Sequence, residues 1–465
     1  MPVQHFGAPH CVPRAIARLR SRCAFGALAL ATLAGIVSLP ATAQGATPLP
    51  PLSLEAALRL AEQRSYALLA QDAAASAARD QAVAARQLPD PTLRLSINNL
   101  PIEGANRFNV ASEPMTLRSV GVAQTFTRED KRLARSARYG REAEAAEAMR
   151  AAQLVALRRS TALAWLDRHY QQQLVELLGR QRDEAALQIE AAEAAYRAGQ
   201  GAQADVFLAR SGVARIEDRI REAQALVANA ITTLERWVGD RAAAPLGEAP
   251  PLTRTRFEDA VPALEARIDR HPDIALMASK EAVALAEAEV ARRARRSDWS
   301  VDLSYSQRGA AFGNMVSIGV SIPLQWDQPR RQDRELAASL ARAEQVRSER
   351  EEAQRERVAE AQRWRATWRS NLTRLDDYER SLIPLAAERT QAALAAYRGG
   401  RAPLSGVLEA RRMEIDTRSE RLRIEMQTAV LWAQLEFLLL DDALGTNPDA
   451  LVPLAEAMDT VERQP

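Results

Sequence analysis

Cysteine is nearly absent. The 465 residues contain two, Cys11 and Cys23, both within the first 43 positions. If that stretch is removed, no disulfide, thiolate nucleophile or cysteine metal site remains. Beyond it only His169 and His271 carry imidazoles, and neither sits in a ligand-spaced cluster. Lysine occurs only at 131 and 280, and aromatics make up 5% of the chain. Beyond the first 43 residues no stretch is apolar for 18 residues, so no transmembrane helix is predicted and a membrane crossing would use strands. No nucleophile–base constellation, phosphate loop or metal motif is present. The chain therefore reads as a non-enzyme with no catalytic residue, cofactor or metal site.

What is present is Ala, Arg, Glu and Leu, a composition for long helices. The N-terminus has the form of a secretory leader. Arg14, Arg18, Arg20 and Arg22 precede a mostly apolar run, and Ala41-Thr42-Ala43 is an A-x-A cleavage site. Removing residues 1–43 takes away four of the 62 basic residues and none of the 60 acidic ones, so the net charge turns from +2 to −2. That balance leaves no basic excess to suggest a nucleic-acid partner.

One stretch occurs twice. Ala195-Tyr196-Arg197-Ala198-Gly199 leads to Val206-Phe207-Leu208-Ala209-Arg210, and 201 residues later Ala396-Tyr397-Arg398-Gly399-Gly400 leads to Val407-Leu408-Glu409-Ala410-Arg411. Each copy lies between helical segments, so each reads as a tight turn with glycine where a helix stops. The flanking elements repeat as well. In the first half, helix is predicted over 54–87, with Ser53 as N-cap. Strands follow at about 92–98 and 117–126, then a helix over about 127–197, a turn at 198–204 and a further helix. At 1.5 Å per residue the long helix runs roughly 105 Å. A linker at 240–258 separates the repeats, which span 44–239 and 259–445. The second has a helix broken near His271-Pro272, strands at about 300–307 and 314–323, a helix over about 331–398 interrupted by Pro384, a turn at 399–405 and a last helix. A tail at 446–465 is polar. The two short helices of a half, laid end to end, match the long one, which predicts a cylinder wall with strands at one end and glycine turns at the other.

The strands alternate strictly. Leu93, Leu95 and Ile97 interleave with Arg94, Ser96 and Asn98; Val316, Ile318, Val320 and Ile322 interleave with Ser317, Gly319 and Ser321. Asp90 matches Asp298 at an offset of 208, and Ser119-Val120-Gly121-Val122 matches Ser317-Ile318-Gly319-Val320 at 198. The loop between the first two strands is therefore longer than its counterpart. Four strands are too few to close a barrel, and a membrane-crossing strand needs both neighbours. Three copies would give twelve. Trp299, Phe312 and Trp326 lie near strand ends, where membrane barrels carry aromatic girdles. A small soluble sheet on a helical bundle would alternate too.

This duplicated order, with its paired Tyr-Arg-x-Gly turns, resembles the TolC-like outer-membrane factors over essentially the whole chain beyond the leader. The resemblance implies a mainly α protein with a small transmembrane β portion. Four strands per chain would form a trimeric twelve-stranded β-barrel in outer-membrane lipid, continued by a periplasmic α-helical barrel. It implies a homotrimer working with a periplasmic adaptor protein and an inner-membrane pump. Asn98-Asn99-Leu100-Pro101, Met115-Thr116 and Lys131-Arg132 resemble the branch serving heavy-metal efflux pumps of the resistance–nodulation–division type. The implied function is an efflux duct for heavy-metal cations. A drug or small-molecule duct, a type I protein-secretion duct and a structural periplasmic coiled coil are the alternatives.

In the family, acidic residues after the second turn form rings in the periplasmic gate, and rings of carboxylates favour cations. The two ring positions fall on Gly406 and Glu409, so only Glu409 can supply a carboxylate. By the same resemblance Asp205 belongs to a polar network closing the helices, with Arg197 and Arg401 as partners. Tyr196 and Tyr397 would pack or hydrogen-bond between coils. The turns, with Gly199, Gly201, Gly399 and Gly400, would meet the adaptor's helical tips.

Overall fold

The computed structural model describes residues 50–255, 271–309 and 312–438. The leader, the stretch 259–270 of the second repeat and the tail lie outside them. The order is α1 (Leu54–Gln63), α2 (Tyr66–Ala85), β1 (Thr92–Asn98), β2 (Leu117–Phe126), α3 (Glu129–Arg197) and α4 (Gln203–Val238). Then come α5 (Pro272–Ala294), β3 (Trp299–Gln307), β4 (Met315–Ser321), α6 (Gln332–Asp377), α7 (Ile383–Arg398) and α8 (Leu404–Glu436).

The 69 residues of α3 span roughly 103 Å at helical rise. Antiparallel ion pairs tie its first half to α1 and α2: Arg158–Glu62 at 2.6 Å and Arg150–Asp72 at 2.7 Å. Its second half lies along α4, with Arg210–Glu193 at 2.7 Å. The second repeat copies the plan: Arg350–Glu281 at 2.9 Å and Arg357–Asp273 at 3.1 Å join α6 to α5. No helix among the described residues is long and apolar enough to cross a membrane.

Two features depart from the expected helices. The segment 54–87 is not continuous. Ser65 turns out of the helix and caps α2, accepting the Leu68 N–H at 3.4 Å, so the chain breaks between Gln63 and Tyr66. The second long helix carries a π turn at Tyr378–Leu382. Pro384 has no N–H to give the carbonyl one turn back, and a five-residue turn absorbs the mismatch without ending the helix.

Midway along the helices lies the main core. Trp165 and Trp368, 203 residues apart, are 0% and 2% exposed. Each indole N–H donates to a carbonyl of the irregular segments crossing the helices, Trp165 to Leu52 at 2.9 Å and Trp368 to Leu252 at 3.0 Å. Leu52 in turn pairs with the stretch at Leu246. The buried Arg168 donates to the carbonyls of Ala242 and Ala244, which satisfies the open end of the short 3-10 helix Gly239–Ala243.

His271 caps α5. Its Nδ1 accepts the Asp273 N–H at 3.1 Å, and the ring is buried. Burial lowers its pKa; Asp273 opposes this, and Arg357 and Arg159 reinforce it. The cap needs an unprotonated Nδ1. The unfolded chain takes up its proton first as pH falls below about 6.5, so the stabilisation present above that value is lost on acidification. His271→Asn keeps an acceptor and removes the proton. Its melting temperature in detergent should fall less than that of the wild type between pH 7 and 5. Equal losses would show that His271 does not carry the effect.

The four strands form one antiparallel sheet in sequence order, β1-β2-β3-β4, although about 170 residues separate β2 from β3. The ladders align the faces. Leu93, Val122, Leu303 and Ile318 form one row, and Leu95, Val120, Tyr305 and Val316 the next. All eight are exposed, Leu95 and Ile318 at 74%. The opposite face has Arg94, Gly121, Ser304 and Ser317 in one row and Ser96, Ser119, Ser306 and Met315 in another. The outer edges of β1 and β4 are unpaired among the described residues.

Candidate functional site

The two glycine turns have the same hydrogen bonds. Gly199 N–H donates to Tyr196 O at 3.0 Å and Gln200 N–H to Ala195 O at 2.9 Å; Gly400 and Arg401 repeat this on Tyr397 and Ala396, each at 2.9 Å. Gly199 and Gly400 have φ of 71° and 66°, the left-handed conformation that ends a helix in this motif. Gly399 keeps an ordinary φ of −82° and Gly201 packs against Ala195. Both turns lie at one end of the helical body, away from the sheet, because each closes a long antiparallel hairpin.

Beneath the turns the four helices meet in a small core of Ala192, Val206, Ala209, Leu404 and Val407. Tyr397 packs against it, whereas Tyr196 is 48% exposed. Asp205 accepts the Ala202 N–H at 3.2 Å, as a helix-start carboxylate. Within the chain it pairs with neither Arg197 nor Arg401, which are both exposed. Glu409 is exposed on the first turns of α8, with no ion-pair partner among the described residues.

The sequence reading missed the pairs that join the repeats just above this end. Arg411 of α8 donates to Glu184 of α3 at 2.7 Å, and Arg219 of α4 to Asp416 of α8 at 3.3 Å. Glu414 is buried and holds Arg418 at 3.0 Å. The only signal for them was that Arg210 and Arg411 end the duplicated stretch, and residues 227 positions apart carry no local pattern. Further up, an open cavity of about 560 Å³ borders the π turn. Arg421 bridges Glu379 of that turn at 2.6 Å and Glu425 at 2.5 Å. Burial pushes the Glu425 carboxyl up, with Arg421 opposing and Glu379 adding to the rise. His169 stacks on Trp165 with ring centres 5.3 Å apart, a packing role. No cluster among the described residues could hold a metal ion.

At the sheet, the residues that set the metal-pump resemblance have structural work. Asn99 has φ of 57°, and its carbonyl accepts the hydroxyl of the buried Thr116 at 3.0 Å, which closes the neck of the β1–β2 loop. Lys131 pairs with Asp298 at 3.1 Å, and Asp298 also accepts the Arg128 N–H at 3.1 Å, where strand becomes helix. Arg132 donates to Arg86 O at 2.7 Å at the end of α2. Trp299 stacks on Phe126 with ring centres 4.4 Å apart at the same junction.

No protein-family model matches the chain, and no curated protein matches its sequence. Solved structures do match in fold. CusC, studied for the conformational changes of folding and transmembrane channel formation, is 16% identical over 83% of this chain and 92% of its own, with a TM-score of 0.69. The outer membrane protein VceC of Vibrio cholerae is 20% identical over 83% and 94%, with a TM-score of 0.67. The outer membrane channel CmeC of Campylobacter jejuni is 12% identical over 83% and 85%, also at 0.67. The fold is that of the TolC-like outer-membrane channels.

Proposed function

We propose that this chain is the outer-membrane duct of a tripartite efflux system. Three copies close a twelve-stranded barrel, and their helices continue it as a tunnel into the periplasm. An adaptor and an inner-membrane pump deliver substrate at the glycine turns. The observation that carries this reading is the sheet: one face carries two adjoining rows of exposed apolar residues, with Arg118, Gln124 and Gln307 only towards its ends, the other face is mostly polar, and among the described residues both edges are unpaired. A water-filled lumen inside lipid requires such a face pair, and a strand in lipid requires such an edge to be filled by another strand. A soluble sheet would have its apolar face covered.

Heavy-metal cations of a resistance–nodulation–division pump are the cargo we favour. This rests on the family resemblance of 98–101, 115–116 and 131–132, although those residues act structurally. A passive duct takes its specificity from its pump, so the test is physiological. A deletion strain should lose tolerance to one or two of copper, silver, zinc, cobalt and cadmium while keeping its tolerance to drugs and detergents. Sensitivity to drugs alone would discard the metal cargo and leave the duct.

At the closed end, threefold symmetry turns Glu409 into a carboxylate ring and brings Asp205 of one copy towards arginines of another. Asp205→Ala or Arg401→Ala should raise single-channel conductance in planar bilayers, and unchanged conductance in both would remove them from the gate. Glu409→Ala should lower cation preference, read as a shift of reversal potential towards zero in a salt gradient. An unaltered reversal potential would sink the ring.

A further inference from the structure

The internal duplication specifies how one copy joins the next. Shifting β1 by 208 residues and β2 by 198, the offsets of Asp90 to Asp298 and Ser119 to Ser317, carries the first hairpin onto the second. The observed ladders agree: Leu93↔Val122 becomes Val301↔Val320, Leu95↔Val120 becomes Leu303↔Ile318, and Ile97↔Arg118 becomes Tyr305↔Val316, each a pair formed in the sheet. The same shift therefore applies to the ladder between the repeats. In that ladder β2 pairs with β3, the second strand of one repeat with the first strand of the other. Its counterpart has β4 pair with a β1 beyond the chain's own, that of a second copy.

We infer that β4 of one copy and β1 of the next pair antiparallel in one register, with Ile318 opposite the neighbouring copy's Ile97 and Val320 opposite its Leu95. This follows from Val120↔Tyr305 and Val122↔Leu303. It rests on the trimeric duct reading and adds the register to it. The chemistry fits on both faces. Apolar residues meet apolar ones on the outside, where Ile322 faces the neighbour's Leu93. Inside, Ser317 meets the neighbour's Asn98, as Ser119 hydrogen-bonds Ser306 at 2.8 Å within the chain. A slip by one residue would set Ile318 against Ser96 or Asn98 and mix the faces.

Unpaired charges at the base of this seam complement one another. Within the chain Asp298 holds the start of α3 through Arg128 N–H and Lys131. The counterpart of Asp298 is Asp90; at an offset of 201 Arg128 and Lys131 fall on Pro329, which has no N–H, and Gln332, so their two bonds are not copied residue for residue, and the charges at that place are the intervening Arg330 and Arg331. Asp90, Arg330 and Arg331 are all exposed, and none has a side-chain partner among the described residues. The neighbouring copy's Asp90 thus meets Arg330 and Arg331 at the base of the seam.

The test is disulfide mapping in outer membranes. The only cysteines, Cys11 and Cys23, lie in the leader stretch, so introduced pairs report alone. Ile318→Cys with Ile97→Cys, and Val320→Cys with Leu95→Cys, should give covalent dimers and trimers on denaturing gels after mild oxidation. Ile318→Cys with Leu95→Cys, shifted by two, should give none. Asp90→Arg should lower the temperature at which unlinked trimers dissociate on gels, and Asp90→Arg with Arg330→Asp and Arg331→Asp should restore it. Products only from the shifted pair, or none from a protein whose native mass is that of a trimer, would overturn the register and leave the duct. A monomeric native mass would overturn both.

Discussion

Trp165→Ala is expected to destabilise the fold by about 3–5 kcal/mol, the range for emptying a buried tryptophan site. The side chain is 0% exposed and centres the core where α3, the segment at Leu52 and the helix α4 meet. The loss has two parts. The cavity forfeits packing that nearby alanines, Ala57 and Ala162 among them, are too small to restore. The Leu52 carbonyl also loses its indole donor, and an unpaired buried acceptor costs about 1–3 kcal/mol. Trp165→Phe should recover most of the packing term and none of the hydrogen bond. Thermal unfolding in detergent should rank wild type above Phe above Ala, and Trp368→Ala should behave like Trp165→Ala because its indole makes the same bond to Leu252. If Trp165→Phe melts with the wild type, the carbonyl bond adds nothing. If Trp165→Ala does so, this core does not hold the helices to the crossing segments.

The pairing of those two tryptophans explains what a single sequence can and cannot express. Duplication and period are long-range regularities written in local residues. Leu93, Leu95 and Ile97 alternate over a few positions, and each half repeats the glycine turn, so strands, long helices and their order are legible. The break at Ser65 is not, because serine within an alanine-rich helix has two local options, and only packing at the joint of α1, α2 and α4 chooses the cap. Pro384 was visible, but its consequence was not. A proline can end, kink or bulge a helix, and the neighbouring α8, clamped through Arg421 to Glu379, accompanies the bulge.

The turn region divides the same way. Glycines at 199 and 400 announce themselves because left-handed backbone favours them. The ion pairs Arg411–Glu184 and Arg219–Asp416 do not, since a chain with so many arginines and acids offers many equivalent pairings. The motifs that set the metal-pump resemblance close a loop neck and pin a strand to a helix. Such residues report how the sheet is built and joined to its helices, and they contribute no cargo chemistry.

The sharpest separation of the two sheet faces comes from neighbouring residues. Ile318→Arg is expected to abolish heat-stable trimers in the outer membrane, whereas Ser317→Arg is expected to preserve them. The two positions are adjacent in the middle of β4 and share its extended backbone and an exposed surface. They differ in face, because side chains alternate along a strand. An arginine on the lipid face at mid-bilayer costs about 2–4 kcal/mol, and threefold repetition raises this to roughly 6–12 kcal/mol per trimer, comparable to the whole stability of many domains. Ser317 lies in the row with Arg94 and Ser304, where an arginine already stands. There the new charge meets water, and its effect should be on ion selectivity, as a shift towards anions in the reversal potential. Gel mobility before and after heating, in isolated outer membranes, reads the first outcome, and planar bilayers read the second. The opposite result, with Ile318→Arg assembling and Ser317→Arg failing, would place the apolar rows inside and end the barrel reading. Equal tolerance of both would indicate a sheet in water on both sides, which the helical coiled-coil alternative requires.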